Sequence, residues 1–289
     1  MAYEKVKGII LVITCKKYLP TRYRNFKIDE AAVESLGWKI LYVIGDYSMK
    51  HKKLQREQHV FCEEYDATTG RHILKIECED TYFHLFKKLA LAMKIVDSLY
   101  EIEEGLLRLG DDVIINDTHL CEFLQMPNKA DYMGCNKNKQ NYFVDDLNIL
   151  RNTVDDTFMM NYYKTRSSEL QTPEFGSIGG DGLAEYTRRP KIDVYAGGVV
   201  VYYSRRAYNA IIESATKINY DVLHYDGFTC SYPYVIEDVA VAFILYMNKI
   251  PLTYYPTYID VEGGGGDIIV ADDDDMQHKY IGVHTNEHR

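Results

Sequence analysis

The chain has 289 residues, 46% of them hydrophobic, and a formal charge of −10. That apolar content can bury a sizeable core, as one large α/β domain or two intimately packed halves, while the acidic balance argues against nucleic acid as the main ligand, because binding phosphate backbones needs clustered Lys and Arg. No stretch reaches the length of a membrane span and the apolar run 8–14 is too short for a secretory signal, so the sequence reads as soluble and cytoplasmic.

In chain order, residues 6–14 and 39–45 are short, β-branched and nearly continuous in apolar character. That pattern predicts parallel strands covered on both faces, with 29–36 as the crossover helix between them. Residues 72–78 supply a third strand. Asp80 then stands where a helix N-cap belongs, and Leu85, Leu89, Met93, Val96 and Tyr100 recur at helical spacing until Gly105, which is expected to end the helix. Gly105 to Leu109 reads as the next buried strand, and it delivers Asp111 and Asp112. The second half is less regular: a short strand at 131–134, a long polar, Gly-punctuated stretch, strand character again at 199–203, and a helix opened by Glu237-Asp238. Whether the stretch of about 136–191 closes over a site or is a peripheral insertion is open. Six scattered cysteines, Cys15, Cys62, Cys78, Cys121, Cys135 and Cys230, show no C-x-x-C spacing and read as thiols in a reducing compartment. The 26 tyrosines read mainly as half-buried structural residues, with sugar-stacking surfaces as the second reading.

The chemistry gathers at Arg108-Leu109-Gly110-Asp111-Asp112-Val113. Two carboxylates at the end of a buried strand present hard oxygen ligands at the carboxyl edge of a sheet, where α/β proteins bind ligands. A solvated turn is the plainer alternative for any Asp-Asp pair. It fits Asp145-Asp146, Asp155-Asp156 and the run 272–275 better, because these lie in polar or Gly-rich surroundings.

The segment Asp80-Thr81-Tyr82-Phe83-His84-Leu85-Phe86-Lys87-Lys88 resembles the D-x-Y-x-N-L-x-x-K segment of glycosyltransferase family 31, the β-1,3-galactosyltransferase and fringe-like enzymes. Tyr132-Met133-Gly134, Tyr195-Ala196-Gly197-Gly198 with Ser204, and Glu237-Asp238-Val239 follow in the family's order, so the resemblance covers roughly 6–248. It implies an α/β, GT-A type fold, a Rossmann-like mixed sheet flanked by helices. The whole chain, 1–289, is then one domain, with a nucleotide-sugar half at 1–116 and an acceptor half at 117–289. It further implies a UDP-sugar donor (galactose, N-acetylhexosamine, glucose or xylose type), Mn or Mg, a glycan acceptor and an inverting displacement that forms a β-linkage. Animal members usually carry an N-terminal anchor, whereas this chain opens almost at its first strand, which suggests a microbial or virus-encoded soluble enzyme, or an excised domain.

Carried onto this sequence, the resemblance makes Asp112 a metal ligand and Asp238 the general base toward the acceptor hydroxyl. The plainer reading of Asp238 is an acid that stabilises the positive end of a helix. Gly110 stands where the family has its first acid, with Asp111 as the residue that compensates. Gly197 and Gly198 would let backbone approach the sugar, or simply form a turn. Lys88, ahead of Arg108, is expected to offset diphosphate charge, with surface or ion-pair roles as the alternative. Asp80 belongs to the matched segment, and Thr14, Lys17 and Arg22 lie near the first strand end, where a nucleotide would bind. His284 is the candidate histidine ligand, against a surface residue in a tail. Two alternatives to a transferase remain open: a catalytically weakened sugar- or nucleotide-binding protein of the same fold, and a metal-dependent nucleotidyltransferase.

Overall fold

The computed structural model describes residues 4–46, 61–78, 80, 84–136, 195–216, 237–260 and 280–284. Eleven strands in these residues, β1 (Glu4–Ile13), β2 (Trp38–Gly45), β3 (Phe61–Asp66), β4 (Arg71–Ile76), β5 (Tyr100–Gly110), β6 (Val113–Ile115), β7 (Tyr132–Asn136), β8 (Ala196–Ser204), β9 (Thr253–Tyr254), β10 (Tyr258–Asp260) and β11 (Gly282–His284), form two sheets. The larger has the order β3-β4-β2-β1-β5-β8-β7-β9, and the smaller is β10-β11-β6. The helices are α1 (Glu30–Ser35), α2 (Leu85–Leu99), α3 (Asp117–Gln125), α4 (Arg205–Ala215) and α5 (Glu237–Met247). This is a mixed α/β fold with helices on both faces of one large sheet, as expected.

The continuous apolar runs of β1 and β2 fill two cores because successive side chains point to opposite faces. Ile9, Leu11 and Ile13 meet α2, α4 and α5 through Leu89, Met93, Ile211 and Leu245. Ile10 and Val12 meet the opposite layer through Val33 of α1, Phe123 of α3 and Tyr258 of the small sheet. β4, β2, β1 and β5 are mutually parallel, so their carboxyl ends share one edge. β8 runs antiparallel to β5 and therefore begins at that same edge.

Three sequence-based expectations are corrected. Gly105 does not end a helix: α2 stops at Leu99 and β5 starts at Tyr100, because buried Tyr100 and Ile102 alternate with exposed Glu101 and Glu103 at the period of a strand. Gly105 is instead a close-approach residue, since a Cβ there would clash with the carbonyl of Tyr203 on β8. Asp80 does not cap α2, whose cap position is His84. The third strand has an antiparallel partner, β3, which the sequence reading missed. Residues 137–194, which hold most of the long polar stretch, lie outside the described residues, as do Cys230 and the run 272–275. Among the described residues, Cys15, Cys62, Cys78, Cys121 and Cys135 are thiols, and no helix is long and apolar enough to cross a membrane.

Candidate active site

Ile13 of β1 pairs with Gly110 of β5, so the residues that follow, Thr14 and Asp111, meet at the carboxyl edge. The buried Thr14 hydroxyl donates to Asp111 Oδ2 at 2.5 Å. The chain then makes a wide π-type turn, Leu19–Tyr23, whose Pro20 suits its first turn. This turn carries Arg22 back over the acids, with Nη1 3.7 Å from Asp111 Oδ1 and 3.4 Å from Asp112 Oδ2. The guanidinium also lies 4.2 Å from the centre of the Tyr18 ring, a favourable cation–π distance. Arg71 of β4 fastens the turn from behind. It donates to the carbonyls of Tyr23 and Phe26, pairs with Glu30 at 3.0 Å, and stacks over Tyr42.

Asp112 owes its position to Gly110. A Cβ at residue 110 would stand 2.5 Å from Asp112 Oδ1 and 3.4 Å from an Arg108 nitrogen. The space that a side chain at residue 110 would take is thus filled by the carboxylate of Asp112. On its other side, β11 pairs with β6 so that His284 faces Val113, and His284 Nε2 lies 3.5 Å from Asp112 Oδ2. The histidine is partly buried and stands edge-on to Tyr258. It is a located member of the site, not a tail residue.

The two neighbouring carboxylates titrate in opposite directions. Burial pushes Asp111 above the ordinary carboxylate range, with the Asp112 charge adding to it and the Thr14 hydrogen bond opposing. Burial acts upward on Asp112 too, but His284, Arg108 and Arg22 outweigh it and hold Asp112 below that range. Asp112 is therefore the acid prepared to stay an anion.

The two basic residues expected at a diphosphate have internal partners. Lys88 is 3% exposed, and its ammonium donates to the Thr14 carbonyl at 2.6 Å and to Asp80 Oδ1 at 2.7 Å. Asp80 in turn accepts from the Lys16 amide at 2.6 Å. Together they brace the backbone of the loop that follows β1. Arg108, 6% exposed, makes a two-pronged pair with Glu237, both bonds at 2.9 Å, and donates to the Val199 carbonyl at 3.1 Å. It thereby ties β5, β8 and the first turn of α5 together beside Asp112. Glu237 was not among the residues singled out for this role, and no local signal links positions 129 apart in the chain.

That tie places Asp238. A Cβ on Gly198 would lie 3.6 Å from the Asp238 Cβ and 3.6 Å from the Glu237 carboxyl carbon, so α5 meets β8 at Gly198. Glu237 is buried and Asp238 only partly so. Gly197 is buried within β8. Thr14, Arg22, Asp111, Asp112 and His284 converge directly, Asp80 and Lys88 brace the backbone at Thr14, and Arg108 links β5 to the turn of α5 where Asp238 lies against Gly198. Lys17 is exposed, with its ammonium 4.5 Å from the Tyr18 ring.

Among the described residues no group of three or more His, Cys, Asp or Glu side chains is arranged to hold a metal alone. Asp112 and His284 supply one hard oxygen and one imidazole nitrogen, with Asp111 adjacent. A divalent ion that keeps water and takes phosphate oxygens needs only one or two protein ligands. The donor set fits such an ion.

No family model and no curated protein matches the sequence. Among solved structures, the fold is similar to a galactosyltransferase, LgtC, solved in complex with donor and acceptor sugar analogues. The TM-score is 0.41 at 9% identity, covering 88% of this chain and 75% of that one. It is also similar to the glycosyltransferase GlyE of Streptococcus pneumoniae TIGR4, with a TM-score of 0.35 at 13% identity, covering 87% of this chain and 45% of that one. At these scores the functional reading rests on the residues of the site.

Proposed function

We propose that the chain is a glycosyltransferase of the GT-A type that moves a sugar from a UDP-sugar to a glycan hydroxyl with inversion, forming a β-linkage. The observation that supports this reading is the buried Arg108–Glu237 pair, which joins the strand that leads into Asp111 and Asp112 to the helix turn that carries Asp238. Asp112 and His284 would hold a divalent ion, Mn or Mg, which when bound supplies Lewis-acid neutralisation of the donor diphosphate. Thr14 and Arg22 line the nucleotide side. In the transfer, the acceptor oxygen attacks the anomeric carbon and gives its proton to the Asp238 carboxylate. The bond to phosphate breaks and its electron pair leaves with the nucleoside diphosphate. Seating in the first turn of α5 favours the Asp238 anion until it takes that proton.

Two variants test the division of labour. Asp112→Asn is expected to lose Mn-dependent UDP binding measured by calorimetry. Asp238→Asn is expected to keep that binding and lose turnover by about a hundredfold to ten-thousandfold. Near-normal turnover in folded Asp238→Asn would remove Asp238 as the base, whereas wild type that binds donor without transferring sugar would leave the nucleotidyltransferase and binding-protein alternatives.

A further inference from the structure

We infer that Arg22 is a built-in counter-cation of the Asp111–Asp112 pair, which a divalent ion must displace to bind. The inference rests on the proposed metal-dependent reading of this site and goes beyond it.

Asp112 Oδ2 is the atom shared by the metal-binding candidates. It lies 3.5 Å from His284 Nε2 and 3.4 Å from Arg22 Nη1. The same Arg22 nitrogen is 3.7 Å from Asp111 Oδ1. A guanidinium cannot lose its proton in this pH range, so Arg22 brings a permanent positive charge to the face of the acids that an incoming ion needs. Its position is built, not casual: the side chain is only 15% exposed, rests on Tyr18, and sits on a turn that Arg71 fastens to β4. In a partly desolvated site two neighbouring carboxylates repel, as the Asp112 charge does Asp111, and Arg22 supplies a compensating cation without metal. A divalent ion brought within coordination range of Asp112 Oδ2 and His284 Nε2 would face the guanidinium at close quarters. The two cations therefore compete for one oxygen.

Mn alone, without nucleotide, should be titrated into wild type, Arg22→Gln and Arg22→Lys, with free Mn read by its paramagnetic resonance signal. Thermal unfolding checks that each variant is folded. Removing the competing charge is expected to tighten Mn binding by about tenfold in Arg22→Gln. Arg22→Lys is expected to fall between it and wild type, because it keeps the positive charge on a shorter side chain that reaches the acids less closely. Unchanged or weaker Mn binding in the folded variants overturns the inference, as does a failure of all three proteins to bind Mn. UDP-sugar turnover by wild type is read separately. Turnover with no Mn difference sinks the counter-cation and spares the transferase, whereas an Mn difference without turnover does the reverse.

Discussion

A side chain at residue 110 and the present position of Asp112 are mutually exclusive, since a Cβ there would stand 2.5 Å from Asp112 Oδ1. Gly110 reads in the sequence as a defect in an acidic motif; in the fold it is the vacancy that lets one carboxylate turn back toward Arg108 and His284. Gly110→Asp, which restores an acid at that point, is therefore expected to weaken Mn binding instead of strengthening it, because the new side chain pushes Asp112 from His284. Calorimetric titration of Mn into the variant checks this. Tighter binding would show that Asp112 has a second productive position. Asp112 and Asp111 were legible as candidates because they end an apolar run. Which of them stays an anion was not, because that depends on His284, Arg22 and Thr14 arriving from three other parts of the chain.

At the scale of elements, the apolar side of α5 packs into the core while one buried ion pair fixes its first turn. Arg108 and Glu237 are 7% and 4% exposed, so deleting one partner leaves a desolvated charge, at a cost of about 3–5 kcal/mol. Burial disfavours the Arg108 cation, but the Glu237 charge outweighs it and raises its pKa, so it stays charged. Arg108→Met is expected to lose stability in that range by urea unfolding, and the Arg108→Met, Glu237→Leu double variant to recover most of it. A double variant no better than the single would mean the pair holds α5 by hydrogen-bond geometry that an apolar pair cannot supply. A second tie joins the turn after β1 to the β3–β4 hairpin. Asp66 accepts from Thr68 through its amide and hydroxyl, from the Thr69 hydroxyl, and from Tyr23 at 3.1 Å. Thr68, then Thr69, hold its pKa far below the ordinary value. A depressed folded pKa means the contribution is complete above the unfolded value of about 4 and fades as pH falls through the lower, folded value. The stability gap between wild type and Asp66→Ala is thus expected to be full at pH 6 and to shrink below about pH 4. A gap that does not change with pH would assign Asp66 a purely steric role. Hairpin strand β3 itself escaped the sequence reading because five of its residues mix exposed aromatics, charge and a thiol: Phe61, Cys62, Glu63, Glu64 and Tyr65. An edge strand need not alternate cleanly.

For the molecule as a whole, sheet polarity decides where chemistry can occur. The parallel core was legible because strands buried on both faces must be apolar throughout, as in Ile9 to Ile13 and Ile40 to Ile44. Its consequence, one shared carboxyl edge holding Thr14, Asp80 and Asp111, followed from that. The small sheet was not legible: β6 and β11 have three residues each, too few for any period, and yet they alone bring His284 to Asp112. The edge also predicts how the whole chain responds to ligands. On the proposed reading, Asp112 and His284 would hold an ion only weakly by themselves and phosphate oxygens would complete its shell, so metal and nucleotide are expected to stabilise the fold together more than either does alone. A ligand at a hundred times its dissociation constant adds about 2.7 kcal/mol to the native state, which for a domain of this size moves the unfolding temperature by roughly 5 °C. Mn with UDP is expected to give a shift of that order that exceeds the sum of the separate shifts. Asp112→Asn should abolish the excess if Asp112 is the proposed metal ligand. Asp238→Asn should retain it if that carboxylate is the proposed base toward the acceptor. If the shifts are merely additive in wild type, metal and nucleotide occupy separate places, and the carboxyl edge binds one of them without the other.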